Sequence, residues 1–380
     1  MLQRGIIMKK LIALLCAVLL LGSQAKALEI EAPAALLMEK ETGTILYAKD
    51  EHAKLEPASV TKVMTILLTM EAIADGTLTY DTVITASAHA CSMGGSQIWL
   101  KEGEQMTVED MLKAVCVVSA NDCAVALGEA ISGSEDAFVE KMNQRAQELG
   151  MTDTTFHNAT GLPAAGHLTS AHDIAVMSRE LLLHHPDIRQ YTTIWMDTLR
   201  NGQSQLVNTN KLIRFYDGAT GLKTGSTDSA LYCLSASAER NGMELISVIM
   251  KGATSNQRFE DAKTLLNHGF STYALEHIVP EAPLPPVPVE LGTQATVQPI
   301  LGADSTLLLE KAQAGTLTQS VSLPESVSAP VEKGTPLGTL LVLSGEDIIA
   351  EIPLTAGETV PRITYGAMLA RLLRSAFLAD

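Results

Sequence analysis

Residues 56–62 read Glu-Pro-Ala-Ser-Val-Thr-Lys and place Ser59 three residues before Lys62. The apolar pattern of residues 60–74 predicts a helix that begins here, so both side chains lie on one face, one turn apart. A helix N-terminus stabilises a serine alkoxide, and a neutral lysine can take the serine's proton. A free lysine titrates near pH ~10.4, so Lys62 serves as a base only if burial or a second cation lowers its pKa. The alternative is that Ser59 caps the helix and Lys62 is solvated.

Two further motifs follow along the chain. Ser119-Ala120-Asn121 lies between two predicted helices, in a turn where a hydroxyl and an amide can project into a cleft. Lys223-Thr224-Gly225-Ser226 enters a predicted strand, where Gly225 permits the close approach of a ligand to the backbone. Each motif is weak alone, because Ser-x-x-Lys arises by chance and Ser-x-Asn is common in turns. The three motifs in this order form a much more specific signal.

Strand patterns flank a helical block. Residues 35–39 and 44–48 predict an opening hairpin, and residues 231–238 and 243–250 predict a second one through Asn241-Gly242. Apolar residues at helical spacing predict helices over residues 60–74, 108–118, 122–131, 135–149, 171–184 and 259–271. This order predicts an α+β or α/β domain in which a mainly antiparallel sheet packs with a helical cluster.

The composition changes at residues 281–288, where four of the last six residues are proline and favour a stiff extended linker. Residues 287–361 contain no aromatic side chain and alternate short Val, Leu, Thr and Ile runs with Gly and Pro. This pattern predicts a small all-β domain over residues 281–361.

The chain ends in an amphipathic segment, residues 362–380, with apolar side chains at helical spacing and Arg371 and Arg374 to one side. We expect a helix that lies in a membrane interface, with its arginines near anionic headgroups. The alternative is a helix docked on its own domain.

The first 27 residues have the pattern of a secretory signal peptide. They combine a basic start, an apolar run over residues 11–21 and small residues at the expected cleavage site after Ala27. The apolar run is shorter than the ~20 residues that span a bilayer, which disfavours a retained transmembrane helix. We therefore predict an exported protein whose catalytic domain covers residues 28–280.

Composition narrows the function classes. The 380 residues are 46% hydrophobic and carry a net charge of −16, which excludes a largely disordered chain and makes nucleic acid an unlikely partner. Four cysteines follow the signal segment without metal-site spacing, so we expect mainly buried free thiols, although disulfide pairing stays open. His184-His185 lacks a ligand pattern, and we predict no metal and no cofactor.

The three motifs together resemble those of the low-molecular-mass penicillin-binding proteins, the serine-type D-alanyl-D-alanine carboxypeptidases. The likeness extends from about residue 34 to the end of the chain. It includes Ser92-Met93-Gly94-Gly95-Ser96, Ser119-Ala120-Asn121-Asp122, the run Gly133 to Asn143, Phe156-His157-Asn158 with Gly161-Leu162, and Arg258-Phe259 leading to Gly269-Phe270. In this family a β-rich domain and a C-terminal amphipathic anchor follow the catalytic domain, as the patterns above predict.

The resemblance implies a role for each site residue. Ser59 is the nucleophile and Lys62 its general base, while Ser119 relays a proton to the departing amine and Asn121 holds the substrate. The backbone amides of Ser59 and Ser226 form the oxyanion hole.

Three cationic or polar side chains are implied at the substrate's carboxyl end. Lys223 supplies a second cation that helps to lower the pKa of Lys62 and, with Thr224 and Arg258, receives the terminal carboxylate. For Arg258 the alternative is a solvated arginine at a helix start.

The implied reaction removes the terminal D-alanine from peptidoglycan stem peptides through a serine acyl-enzyme. β-Lactams mimic the D-Ala-D-Ala dipeptide and are expected to acylate Ser59. The expected location of the protein is the outer face of the bacterial cytoplasmic membrane. Three alternatives remain. A DD-endopeptidase uses the same chemistry, and a wall-binding protein carries the motifs without activity. A class A β-lactamase is disfavoured, because no Glu-x-x-x-Asn pattern occurs between Ser119 and Lys223.

Overall fold

The computed structural model describes residues 28–302 and 305–377, so the predicted signal segment lies outside the described residues. The helices of the first region are α1 (Lys62–Ala74), α2 (Ala88–Cys91), α3 (Val108–Val118), α4 (Asn121–Ser132), α5 (Glu135–Glu148), α6 (Ala171–His184), α7 (Arg189–Thr192), α8 (Leu212–Phe215) and α9 (Ser255–Thr272). Its strands are β1 (Ala34–Glu39), β2 (Ile45–Lys49), β3 (Val83–Thr85), β4 (Gln105–Thr107), β5 (Met196–Leu199), β6 (Ser204–Val207), β7 (Ala219–Thr227), β8 (Leu231–Arg240) and β9 (Met243–Gly252).

Five of these strands form the central sheet, in the order β2-β1-β9-β8-β7, and every neighbouring pair is antiparallel. The Asn241-Gly242 turn that joins β8 to β9 has positive φ at both residues, as a tight hairpin turn requires. Both predicted hairpins are therefore present, and the predicted α+β class with an antiparallel sheet is confirmed.

The sheet is covered on both faces, which explains why all six residues of β1 are buried. Leu36 belongs to the core between the sheet and the helical cluster, whereas Leu37 belongs to a second core beneath α9. Successive side chains of a strand point to opposite faces, so one strand supplies both cores. Gly269 lets α9 approach the sheet closely, because a Cβ atom there would collide with Leu245 and Leu37.

Helix boundaries follow local capping signals. The hydroxyls of Thr107 and Ser170 accept hydrogen bonds from the backbone amides three residues later, as their motifs predict. Thr254 caps α9 in the same way, so this helix begins four residues before the predicted start at Phe259. Two small two-stranded sheets, β3–β4 and β5–β6, have no counterpart in the predicted elements, because strands of three or four residues are too short to show alternation.

The C-terminal domain is built from strands of two to ten residues with one four-residue helix, α10 (Lys311–Ala314). Its strands are β10 (Tyr273–His277), β11 (Val287–Glu290), β12 (Thr296–Val297), β13 (Pro299–Leu301), β14 (Thr306–Glu310), β15 (Leu317–Ser322), β16 (Val327–Ser328), β17 (Pro336–Ser344) and β18 (Asp347–Ala356). They form sheets with the orders β12-β11-β16, β13-β18-β17-β15 and β10-β14. The predicted all-β domain is confirmed.

Strand pairing crosses the predicted boundary at residue 281. β10 precedes the proline-rich segment but pairs along its whole length with β14, and Ile278 packs in the core of the C-terminal domain. The proline segment therefore does not separate two independent units. The β10–β14 ladder ties the end of α9 to the second domain.

The last helix, α11 (Tyr365–Phe377), occupies the segment predicted to be amphipathic. Over residues 365–373 its large exposed apolar side chains are Tyr365, Leu369, Leu372 and Leu373. Within residues 28–302 and 305–377, the helices are all too short or too polar to cross a membrane.

Candidate active site

Ser59 lies in a 3-10 turn, Ala58–Thr61, that leads directly into α1. A 3-10 turn has three residues per turn, so the side chains of residues i and i+3 lie above one another. This geometry places Ser59 Oγ 2.9 Å from Lys62 Nζ. The α-helix begins two residues later than predicted. Ser59 is not its cap, since Thr61 holds that position.

Lys62 is completely buried, so the alternative of a solvated lysine is wrong. Its Nζ atom also donates a 2.7 Å hydrogen bond to the carbonyl oxygen of Thr160. Burial, together with the positive charge of Lys223, holds the pKa of Lys62 well below its usual range. The amine is therefore prepared to accept a proton.

The loop of residues 156–167 packs against the 3-10 turn that carries Ser59. Gly161, with φ of +82°, lies under the nucleophile turn, and any side chain there would collide with the carbonyl of Ala58. Ala58 itself has a left-handed backbone, with φ of +48°, a strained conformation that such packing enforces. Gly161 thus shapes the turn that presents Ser59.

His167 contacts the same turn, and the sequence reasoning missed it. Its Nε2 atom lies 2.8 Å from Thr61 Oγ1, and its Nδ1 atom accepts a hydrogen bond from the backbone amide of His157 at 3.1 Å. These bonds assign the proton to Nε2. Burial and the nearby His157 lower the pKa of His167 to about 4, so the ring is neutral. The motif residues quoted above include His157 but not His167, so no local sequence signal identified His167.

Ser119 and Asn121 lie where α3 ends and α4 begins. Ser119 has a left-handed backbone with φ of +65°. Both residues are buried, yet Ser119 Oγ and Asn121 Oδ1 have no hydrogen-bond partner among the described residues. Buried polar atoms are nearly always satisfied, so two orphans in one motif indicate a place where a ligand completes the hydrogen bonding.

The Ser92–Ser96 motif holds Asn121 in place. The side-chain amide of Asn121 donates a 2.6 Å hydrogen bond to the carbonyl of Gly94, and its backbone amide bonds to the carbonyl of Ser96. A Cβ atom at Gly95 would lie 2.9 Å from the Asn121 amide nitrogen. The amide is therefore fixed with its oxygen unpartnered.

The third motif lies on β7, an edge strand of the sheet. Lys223 and Thr224 are buried and Ser226 is exposed. Burial, with a smaller contribution from Arg258, lowers the pKa of Lys223 to about 7. Thr224 Oγ1 donates a hydrogen bond to Thr209 Oγ1, whose own backbone amide bonds to the carbonyl of Val117. This chain of bonds links the third motif to the end of α3, two residues before Ser119.

Gly225 has a packing role in the structure, while the predicted approach of a ligand stays a prediction. A Cβ atom there would lie 2.8 Å from the carbonyl oxygen of Pro57 and 2.9 Å from the backbone nitrogens of Ser59 and Val60. The nucleophile turn is therefore the neighbour that lies directly against this glycine. Gly225 thus lets β7 pack directly against the turn that carries Ser59.

Arg258 is buried, so the alternative of a solvated arginine is wrong. Its Nη1 atom donates hydrogen bonds to the carbonyls of Gly225 and Cys233, at 2.9 and 3.2 Å. The guanidinium also lies against the rings of Tyr232 and Phe259. These contacts connect β7 to β8 through one arginine side chain.

The described cysteines are all free thiols, with Cys116, Cys123 and Cys233 buried and Cys91 partly exposed. In the described part of the chain, no three potential ligands lie close enough to hold a metal ion.

Together these residues can support acyl transfer. A hydroxyl and a buried amine with a lowered pKa form a nucleophile and base pair. A second buried amine lies on the adjoining strand, and unpartnered polar atoms lie at the second motif. Such a catalytic arrangement is recognised by the geometry of its side chains and by the chemical role of each residue.

The family models match both regions. A model described as D-alanyl-D-alanine carboxypeptidase matches residues 22–254, and one described as penicillin-binding protein 5, C-terminal domain, matches residues 281–362.

Individual relatives and solved structures support the same family assignment. The D-alanyl-D-alanine carboxypeptidase DacF of Bacillus subtilis is 39% identical over 93% of this chain and 92% of its own length. The structure of penicillin binding protein 5 from Haemophilus influenzae superposes with a TM-score of 0.78, at 28% identity over 88% of this chain and 98% of that chain. Penicillin-binding protein D2 from Listeria monocytogenes, solved in an ampicillin-bound form, gives a TM-score of 0.58, at 32% identity over 63% of this chain and 98% of that chain. The present chain therefore belongs to the peptidase S11 family of D-alanyl-D-alanine carboxypeptidases, which are serine hydrolases and penicillin-binding proteins.

Proposed function

We propose that this protein removes the terminal D-alanine from peptidoglycan stem peptides by way of an acyl-enzyme on Ser59. The observation that carries the proposal is the fully buried Lys62 amine, 2.9 Å from Ser59 Oγ and next to a second buried lysine, Lys223. A buried ionisable pair in a cleft is a strong indicator of catalysis when the geometry also fits.

The first step is the attack of Ser59 on the carbonyl carbon of the D-Ala-D-Ala bond. A neutral lysine amine has two N–H groups and one lone pair, and the Thr160 carbonyl can only accept, so it takes one N–H. The lone pair of Lys62 is then free for the proton of Ser59. The backbone amides of Ser59 and Ser226 stabilise the developing oxyanion, where the loss of one donor typically costs about 3–4 kcal/mol.

The tetrahedral intermediate collapses when the C–N bond breaks. The proton that Lys62 accepted passes through Ser119 Oγ to the departing nitrogen, and D-alanine leaves with a neutral amine. Asn121 holds the substrate backbone through its unpartnered Oδ1 atom. Water then hydrolyses the ester and regenerates the Ser59 hydroxyl.

Lys223 and Thr224 receive the terminal carboxylate of the substrate, and the same groups receive the carboxylate of a β-lactam. For this contact the Thr224 hydroxyl proton turns from Thr209 Oγ1 to the carboxylate. A bound carboxylate favours the charged form of Lys223. In our proposal Arg258 positions β7, because its bonds to the carbonyls of Gly225 and Cys233 hold the strand that carries Lys223 and Thr224. A direct contact between Arg258 and the carboxylate stays a prediction of the family resemblance.

The proposed location is the outer face of the cytoplasmic membrane, after cleavage of the signal segment. The exposed apolar residues of α11, with the exposed Arg371, favour a helix that lies in the interface. Deleting residues 363–380 should move the protein from the membrane pellet to the supernatant. If the truncated protein stays in the pellet, the anchor proposal is wrong.

The deciding experiment compares the mature protein with its Ser59→Ala variant. Each is incubated with fluorescent penicillin and with a peptide that ends in D-Ala-D-Ala. Covalent labelling and D-alanine release by the wild type alone support the proposal. If the wild type shows neither labelling nor D-alanine release, the protein is an inactive wall-binding protein. Rapid turnover of penicillin would indicate a β-lactamase. Faster cleavage of cross-linked muropeptides than of stem peptides would indicate a DD-endopeptidase.

A further inference from the structure

Glu135 is bonded to the loop that contacts the general base. Its Oε1 atom accepts a 3.0 Å hydrogen bond from the backbone amide of Ala159. Ala159 is completely buried, so its amide needs a protein partner in place of water. The next residue, Thr160, supplies the carbonyl that accepts the hydrogen bond from Lys62. Glu135 therefore anchors the loop one residue before the carbonyl that contacts the base.

Helix α1 contacts the same two loop residues. Lys62 Nζ donates to the carbonyl of Thr160 at 2.7 Å. One turn further along, Thr65 Oγ1 donates to the carbonyl of Ala159 at 2.7 Å. The amide of Thr160 is bonded within the loop to Asn158 Oδ1, at 3.1 Å. The two amides and two carbonyls of these residues are thus all bonded, and the carboxylate from α5 supplies the one bond that comes from outside α1 and the loop itself.

The other oxygen of the Glu135 carboxylate is bonded to the loop that holds the second motif. Glu135 Oε2 lies 2.6 Å from His89 Nε2. A charged carboxylate only accepts, so the proton of this bond lies on His89 Nε2. The carbonyl of His89 in turn accepts a hydrogen bond from Ser92 Oγ at 2.7 Å. Ser92 opens the motif whose Gly94 carbonyl fixes the Asn121 amide.

We infer that Glu135 is a positioning residue that joins the loop of the general base to the loop of the substrate-holding amide, with one carboxylate oxygen bonded to each. The inference rests on the proposed function, which gives the two loops their roles in acyl transfer. Glu135 is the first residue of α5, where the helix macrodipole favours its negative charge. Its two bonds predict two separable effects, one on the base and one on substrate binding.

The first test measures how acylation by fluorescent penicillin depends on pH. A charged ammonium bonds a carbonyl more strongly than a neutral amine does, so loosening the Thr160 carbonyl lowers the pKa of Lys62. Glu135→Ala should therefore slow acylation about tenfold and move the ascending limb of the profile to lower pH. Glu135→Gln keeps an acceptor oxygen for the Ala159 amide and should keep the limb in place.

Glu140→Ala is the matched control for this test. Glu140 is exposed on the same helix, so its substitution removes a carboxylate from α5 outside the bonds described above and should change neither rate nor limb. The charges that act on Lys62, those of Lys223 and Asp122, are the same in every variant. A shift of the limb thus reports the contact with the loop carbonyl, whereas partial unfolding lowers only the amplitude.

The second test uses His89→Ala, which leaves the bond between Glu135 and Ala159 in place. This variant should raise KM for a peptide that ends in D-Ala-D-Ala about two- to tenfold with the limb unmoved, because it loosens the loop that fixes Asn121 and not the base. His184→Ala, at another exposed histidine that pairs with a glutamate, is the control and should leave KM unchanged.

The outcomes separate this inference from the proposed function. A limb of Glu135→Ala at or above the wild-type position overturns the inference, as does equal loss of activity in Glu135→Gln or an unchanged KM in His89→Ala. In each of these cases a labelled, D-alanine-releasing wild type leaves the carboxypeptidase function standing. If the wild type is not labelled at all, the proposed function fails, and the inference fails with it.

Discussion

The catalytic region and the C-terminal domain have different interiors. Among the described residues, the buried polar and charged side chains lie before residue 273 with the single exception of Ser305. The cores of the C-terminal domain consist of Val, Leu, Ile, Ala and similar apolar side chains. The catalytic region instead buries Lys62, Lys223 and Arg258 within one site.

This difference shows where free energy is used for function. Removing a charged group from water costs several kcal/mol, and an apolar side chain of similar volume is often more stabilising. The C-terminal domain buries apolar side chains, which is the more stabilising choice. The catalytic region departs from it where a lowered lysine pKa is needed for the reaction.

The largest expected effect comes from removing the buried base. Lys62→Met keeps the volume and removes the amine, so the domain should fold while acylation by fluorescent penicillin slows by about 10³-fold or more, at the upper part of the range for general-base catalysis. The measurement is a stopped-flow acylation rate. Lys333→Met, at an exposed site in the C-terminal domain, is the matched control and should leave the rate unchanged. An acylation rate within tenfold of wild type would refute Lys62 as the base.

His167 should make stability depend on pH. Its folded pKa of about 4 lies below the unfolded value of about 6.5, so the unfolded state binds more protons between these values. Stability is therefore lost as the pH falls from about 6.5 toward about 4, by up to ~3 kcal/mol. The measurement is urea unfolding at several pH values. His167→Gln should lose this component, and identical pH dependence in the two proteins would rule it out.

Paired glycine substitutions test whether the two regions fail separately. Gly225→Ala should slow acylation about 10²-fold, because the new methyl group displaces the nucleophile turn. Gly338→Ala collides with the carbonyl of Ser322 and should destabilise the C-terminal domain by about 1–3 kcal/mol without slowing acylation. Acylation rates and thermal denaturation curves report the two effects. Equal loss of activity in both variants would mean that the regions act as one unit.

The smallest effect is a shift in a pH profile. The positive charge of Lys223 contributes to the lowered pKa of Lys62, so Lys223→Gln should raise that pKa and move the ascending limb of the acylation profile to higher pH. The position of the limb is the measurement, since the amplitude also falls when carboxylate binding weakens. An unmoved limb would assign the lowered pKa to burial alone.

Much of the fold and the site could be predicted from local sequence signals. The hairpin at Asn241-Gly242, the capped starts of α3 and α6, and the Ser59–Lys62 pair all depend on residues close together in the chain. Periodicity and capping describe such features directly.

The features that sequence missed depend on residues far apart in the chain. Gly225 is a glycine because of a turn more than 160 residues earlier, and β10 pairs with a strand beyond the proline segment. The burial of Arg258 and the bond from His167 to Thr61 are likewise set by tertiary packing. No local pattern contains this information.

The unpartnered atoms of Ser119 and Asn121 have an evolutionary consequence. If these atoms contact the substrate as we propose, an antibiotic that imitates the substrate would contact the same two atoms. A mutation that weakens drug binding there would then also weaken binding of the natural peptide. Resistance mutations would therefore be expected at positions that only the inhibitor contacts.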